Sequence, residues 1–103
     1  MKNLSFEEFK VAIDSVLPVL IEFWSPACFA CDKAEPYLIK LENAYKSKFT
    51  VAKTNINDAV QLVDMFSISK LPTFILFKET KELMRVVGFG NGDLLEREIR
   101  NCF

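Results

Sequence analysis

Apolar residues fall at helical spacing in four stretches of the chain and in short, nearly continuous runs in four others. The first helical stretch opens with "LSFEEF". Ser5 stands where an N-cap belongs, Glu8 follows three residues later to complete a capping box, and Leu4 is placed to staple onto Phe9. This helix is predicted to run to about Ser15. "VLIEFW", Val19 to Trp24, is apolar apart from Glu22, the pattern of a strand buried on both faces. From Cys28 to about Lys46 the apolar residues Ala34, Leu38, Leu41 and Tyr45 fit a helix, with Pro36 inside and expected to kink it. "FTVAKTNI", Phe49 to Ile56, predicts a second strand. Asn57 is the expected cap of a further helix carrying Val60, Val63 and Phe66. "TFILF", Thr73 to Phe77, and "ELMRVV", Glu82 to Val87, predict two more strands. The "KETK" between them is a hairpin turn without the Asn or Gly that such turns favour. Asp93 is expected to cap a last helix with Glu96 at its third position and Leu95, Ile99 and Cys102 on its inner face.

The predicted order is therefore helix, strand, helix, strand, helix, strand, strand, helix. Strand–helix–strand crossovers make parallel neighbours, and the closing hairpin is antiparallel. The expected class is α/β, a mixed sheet with helices on both faces. No repeat, linker or low-complexity stretch interrupts it, so residues 1–103 are read as one domain. A chain of this length buries enough surface for one core without disulfide staples.

Composition narrows the function classes. Half the residues are hydrophobic, ten are Phe, and the net charge is −1, so the chain is globular and neither nucleic acid nor an anionic membrane is an expected partner. The opening "MKNLSFEEFKVAID" carries Glu7, Glu8 and Asp14 where the apolar core of a secretory signal would run. No apolar run approaches the roughly 20 residues that a bilayer requires. The expected location is the cytoplasm, where thiols are kept reduced and a close Cys pair signifies redox or metal chemistry rather than a staple. The chain has no His, which removes Cys–His and Ser–His nucleophilic machinery and mixed Cys/His zinc sites.

Cys28 and Cys31 gain their meaning from context: a buried strand before them, a helix beginning on them, and a βαβ unit around them. Disulfide exchange needs a thiolate. With no His as base, the Cys28 proton must leave through electrostatics, and the start of a helix supplies unpaired N–H groups and the positive dipole end. Cys31 lies one turn deeper, close enough to close a ring on Cys28, so one sulfur attacks and the other resolves. A closed zinc site needs four ligands and this chain has three Cys and no His, so no metal is expected, although a cluster shared across a dimer stays open. A pair kept as an inert relic on a binding module is the other alternative. Cys102 continues the Leu95/Ile99 stripe and reads as a small core residue, with a regulatory thiol as the alternative.

On these residues the chain resembles the thioredoxin family over essentially its full length. The resemblance is carried by "EFW", Cys28-Phe29-Ala30-Cys31 opening a helix, Pro36 five residues after Cys31, "VAKTNI", "LPTFILFK", and Val87-Gly88, in the family's order and spacing. It implies a thioredoxin fold and a Cys28–Cys31 redox disulfide. It also implies a cis bond at Leu71-Pro72 facing the thiols, a substrate groove with Gly88 and Phe89 on its opposite wall, and Lys53 beside the buried acid Glu22. Phe29 is expected to form an apolar lip against the partner. The implied activity is reduction of disulfides in other proteins by a monomer that uses no cofactor and is regenerated by an external thioredoxin-reductase-type electron donor. The family's Gly-Pro between the cysteines is Phe29-Ala30 here, its preceding Trp is Ala27, its buried Asp is Glu22, and Ser67 and Lys70 replace glycines before Pro72. These departures bear on redox poise and partner choice, and they keep an oxidant or isomerase open as the rival role.

Glu22 occupies a place where a purely structural strand would carry Val or Ile. An ionised carboxylate there is costly unless paired, so burial should raise its pKa while Lys53, the expected partner, pulls it back. The expected role is base for Cys31, by way of a water, in the step that resolves the mixed disulfide. The alternative is a carboxyl group held neutral in the core.

Overall fold

A computed structural model describes residues Met1–Phe103. The order of elements is β1 (Lys2–Asn3), α1 (Phe6–Ile13), β2 (Val19–Trp24), α2 (Phe29–Ala44), β3 (Thr50–Asn55), α3 (Gln61–Met65), β4 (Thr73–Lys78), β5 (Lys81–Val87) and α4 (Asp93–Arg100). They form one five-stranded sheet in the order β1-β3-β2-β4-β5. β2 runs parallel to β3 and antiparallel to β4, and β4 and β5 form the antiparallel hairpin. The predicted strands and helices are all present. β1 is additional: two exposed polar residues, paired with β3, carry no hydrophobic pattern that could have announced them.

The central position of β2 explains its sequence. Alternate side chains enter different cores. Val19, Ile21 and Phe23 join Phe9 and Ile13 of α1, Leu62 of α3, and Ile75 and Phe77 of β4. Leu20 joins Ala34, Leu38 and Leu41 of α2, Leu95 and Ile99 of α4, and Phe74 of β4. The first core is built around aromatic pairs, with Phe9 lying 5.6–5.8 Å from the rings of Phe23, Phe66 and Phe77. By alternation Glu22 falls on the same face as Leu20, beneath α2, with Lys53 and Phe74 as its register partners on the two neighbouring strands.

The capping expectations meet three different outcomes. Ser5 and Glu8 form the capping box in full. Asn57 does not cap α3; its N–H donates to Asn55 Oδ1, and the short helix starts after Val60 with Leu62, not the exposed Val60, as its buried residue. Asp93 is the first residue inside α4 rather than its cap, which is Gly92. Gly92 has φ +91°, and a Cβ there would lie 2.5 Å from the ring of Tyr37, so the close approach of α2 displaces any capping side chain. Glu96 is thereby freed from capping, and it accepts hydrogen bonds from the hydroxyls of Tyr37 (3.3 Å) and Tyr45 (2.8 Å), tying α4 to α2.

Three non-glycine residues take left-handed backbone: Ser67 (φ 53°), Glu79 (φ 50°) and Thr80 (φ 68°). The latter two are the centre of the "KETK" hairpin, which adopts the conformation that Asn-Gly normally supplies. The turn is held because Glu79 and Thr80 donate their N–H groups to the carbonyls of Ser15 and Ile13 at the end of α1. Thr80→Gly and Ser67→Gly are each expected to stabilise the protein by about 0.5–1 kcal/mol by removing a Cβ penalty. Urea unfolding would show this as a higher midpoint with an unchanged slope.

Candidate active site

The site lies at the end of the sheet where β2, β3 and β5 finish and β4 begins. Phe23 of β2 is opposite Thr73 of β4, and Thr73 is opposite Val87 of β5. The segments beyond these positions, Cys28 after β2, Pro72 before β4 and Gly88 after β5, therefore gather at one edge. Binding sites of α/β proteins form at the carboxyl ends of parallel strands for the same reason: chain ends that need not continue the ladder are free to carry chemistry. The Leu71-Pro72 bond is cis, and Gly88 N–H donates to the Pro72 carbonyl at 2.7 Å.

Cys28 and Cys31 are joined as a disulfide, with Cα atoms 5.3 Å apart. Cys28 is the N-cap of α2, and its sulfur accepts a hydrogen bond from Cys31 N–H at 3.2 Å. That N–H, at the positive end of a 16-residue helix, is placed to favour the charged form of the Cys28 sulfur once the disulfide is reduced. Cys28 is partly exposed, whereas Cys31 is buried. The third cysteine differs from both. Cys102 donates to the carbonyl of Glu98, and burial together with the Glu98 charge pushes its thiol pKa up, away from reactivity.

Glu22, in β2 beneath α2, is 1 % exposed, with Oε2 lacking any hydrogen-bond partner. Burial pushes its pKa up to about 8, Lys53 opposes the rise, and Glu35 and Asp32 add to it. The expected Glu22–Lys53 ion pair does not form. Lys53 Nζ bonds instead to Glu35 Oε2 at 3.0 Å and stands over the Trp24 ring, 4.7 Å from its centroid. The reason is geometric: the parallel register sets Glu22 and Lys53 side by side on the sheet, but α2 crosses that face and presents Glu35 to the lysine. Trp24, at the end of β2, is only partly buried, and its Nε1–H donates to Asn3 Oδ1 of β1.

The residues expected to bind substrate separate into two groups. Phe29 projects from the start of α2 and is 77 % exposed, with Lys33 Nζ 5.5 Å from its ring centroid. Gly88 and Phe89 line a groove of about 340 Å³ together with Lys70, Val87, Asn91 and Leu94, and Leu71 and Pro72 are not part of that wall. Phe89 is partly turned inward, with ring contacts to Tyr37 (5.8 Å) and Phe74 (6.3 Å). Glu35 is the site residue that sequence reading missed. Its signal was its spacing: four residues after Cys31 it returns to the same helical face, above the sheet.

A disulfide-forming Cys-X-X-Cys pair on a helix N-terminus, at the edge of a mixed α/β sheet, defines a thiol–disulfide oxidoreductase. Residues 1–101 match the family model described as Thioredoxin. The chain is 39% identical over 99 residues to the thioredoxin of Chlamydia caviae, covering 96% of this chain and 95% of that one. It is 32% identical over 97 residues to the thioredoxin of Alicyclobacillus acidocaldarius subsp. acidocaldarius, covering 94% and 92% respectively. Its fold matches the solved structure of Plasmodium falciparum thioredoxin with a TM-score of 0.87 at 20% identity, over 97% of this chain and 98% of that one. The chain belongs to the thioredoxin family. Its Cys28–Cys31 pair makes it a protein-disulfide reductase in class. No helix is long and apolar enough to cross a membrane.

Proposed function

We propose that this protein, acting as a monomer and as one domain over residues 1–103, reduces disulfides in other proteins. Cys28 is the attacking sulfur and Cys31 the resolving one. The observation that carries the reading is the contrast between the two sulfurs: Cys28 is partly exposed with a backbone N–H directed at it, and Cys31 is buried one turn behind.

Cys28 thiolate attacks one sulfur of the substrate disulfide, forming a mixed disulfide and releasing the first substrate thiolate. The Cys31 thiol then gives its proton to Glu22, by way of a water, and the resulting thiolate attacks Cys28 Sγ. The Cys28–substrate bond breaks, the Cys28–Cys31 bond forms, and the second substrate thiolate leaves to be protonated. Two electrons have passed from the dithiol to the substrate. Phe29, Leu71, Pro72, Gly88 and Phe89 form the surface that receives the substrate chain. An external reductase of the thioredoxin-reductase type returns the two electrons, and the cytoplasm is the compartment in which that cycle runs.

Equilibration with a glutathione redox buffer tests the direction of electron flow. A reductant is expected nearer to about −270 mV than to the roughly −180 to −120 mV of isomerases and oxidants. A value in the latter range would overturn the reductant reading in favour of an oxidant or isomerase. The assignment of sulfurs has its own check. In the reduced protein near pH 7, iodoacetamide is expected to label Cys28 well ahead of Cys31, since only the thiolate reacts and only Cys28 has the helix terminus. Equal labelling, or Cys31 first, would reverse the roles.

A further inference from the structure

Two strands place Glu22 and Lys53 side by side, yet the lysine is taken by a third residue. Lys53 Nζ lies 3.0 Å from Glu35 Oε2, and the Trp24 ring beneath the ammonium helps to hold it there. Glu22, the more deeply buried of the two carboxylates, is left with Oε2 unpartnered. We infer that Glu35 is a positioning residue for the resolving step: by engaging the Lys53 ammonium it keeps that group from pairing directly with Glu22, and it thereby sets the pH at which Glu22 becomes able to accept the Cys31 proton. This inference rests on the reading of Glu22 as the base for Cys31.

The electrostatics around Glu22 agree in sign. The charged groups that face it are Lys53 from β3 and Asp32 and Glu35 from α2, and its register partner on β4, Phe74, contributes none. Burial raises its pKa, Lys53 lowers it, and Glu35 and Asp32 raise it. Glu35 therefore acts twice in one direction, by its own charge and by diverting the one cation. Asp32 acts only by its charge, because it has no bond to the lysine.

The resolving step can be isolated with 5,5′-dithiobis(2-nitrobenzoate). Attack by Cys28 on this aromatic disulfide releases one coloured thiolate and leaves a mixed disulfide. Resolution by Cys31 closes Cys28–Cys31 and releases the second, so the two steps appear as two phases of colour. In the wild type the slow-phase rate is expected to rise with pH through a midpoint near 8. Glu35→Gln frees Lys53 for Glu22 and should move that midpoint down by roughly one pH unit. Lys53→Met should move it up, while Glu35→Asp, which keeps the charge, should restore most of the wild-type profile. In a Glu22→Gln background, Glu35→Gln should have no further effect on the profile.

The outcomes separate the two readings. If the midpoint survives unchanged in Glu22→Gln, Glu22 is not the base and the underlying reading falls. If the midpoint is lost in Glu22→Gln but does not move in Glu35→Gln, Glu22 is the base and the role given to Glu35 is wrong. The C=O stretch of the protonated Glu22 carboxyl, followed by infrared difference spectroscopy against pH in the oxidised protein, reads the same shift without turnover. A band that titrates alike in wild type and Glu35→Gln would overturn the inference independently of the kinetics.

Discussion

Cys28→Ser will leave the protein without measurable disulfide-reductase activity, and Cys31→Ser will leave it joined to its substrate. The two losses look the same in a turnover assay, where each should fall by several orders of magnitude, because a serine hydroxyl is not a thiolate near neutral pH and cannot hold a disulfide. They differ in what accumulates. Cys28→Ser removes the attacking sulfur, so substrate and enzyme remain separate. Cys31→Ser keeps the attacking sulfur and its place as helix N-cap, with the residue-31 N–H still directed at it. The mixed disulfide therefore forms and nothing resolves it. Non-reducing electrophoresis and intact mass should find the adduct with Cys31→Ser and not with Cys28→Ser. Cys102→Ser should turn over normally, since that thiol is partly buried, bonded to the Glu98 carbonyl and raised in pKa. Loss of activity in Cys102→Ser comparable to Cys28→Ser would mean that the reactive pair has been wrongly assigned.

Glu22→Gln is expected to change how stability depends on pH more than any other single substitution. The folded-state pKa of Glu22 is about 8, raised chiefly by burial from an ordinary 4.5. Between those values the folded protein retains a proton that the unfolded chain has released. The stabilisation from that proton is complete below pH 4.5, declines as pH rises, and is gone above the folded pKa. The decline is at most about 1.4 kcal/mol per pH unit. The Gln variant has no such slope. It should be within about 1 kcal/mol of the wild type at pH 4 and more stable by roughly 2–4 kcal/mol at pH 8, where unfolding lets the wild-type carboxyl ionise freely and burial in the folded chain opposes it. Urea unfolding of both oxidised proteins from pH 4 to 9 measures the difference, and parallel curves would mean that folding does not raise the pKa of Glu22. The same substitution removes the proposed base, so resolution should slow while the first attack by Cys28 remains close to the wild-type rate. A variant that is at once more stable and slower in one step is the signature of a buried charge retained for chemistry.

The active pair and the framework around it were legible along the chain because their signals are local. Short, nearly continuous apolar runs marked each strand of more than two residues, and apolar residues at helical spacing marked each helix. "VLIEFW" could be read as a central strand because both of its faces are apolar. Cys28 and Cys31 drew attention because they follow such a strand and open a helix, and Glu22 because it is a carboxylate where an aliphatic residue belongs. The capping box at Ser5 and Glu8 was readable for the same reason: its two partners lie three residues apart.

What the chain did not disclose was in each case a contact between segments distant in sequence. Asp93 and Glu96 have the spacing of a cap, yet Tyr37, more than fifty residues earlier, packs so close that Gly92 must end the loop and Glu96 bonds to two tyrosines instead. "KETK" is the hairpin turn it was read as although it lacks the residues that favour one, and what holds it is the pair of carbonyls, Ile13 and Ser15, that accept its N–H groups. β1 exists only because β3 offers it a free edge. Lys53 was correctly placed next to Glu22 but not correctly paired, since strand register is a property of the sheet whereas the choice of carboxylate depends on where α2 crosses it. Periodicity and spacing record which backbone a segment prefers and which residues share a face. Hydrogen bonds and ion pairs go to whichever group the packed helices bring within about 3 Å, and that distance exists only once the chain has folded.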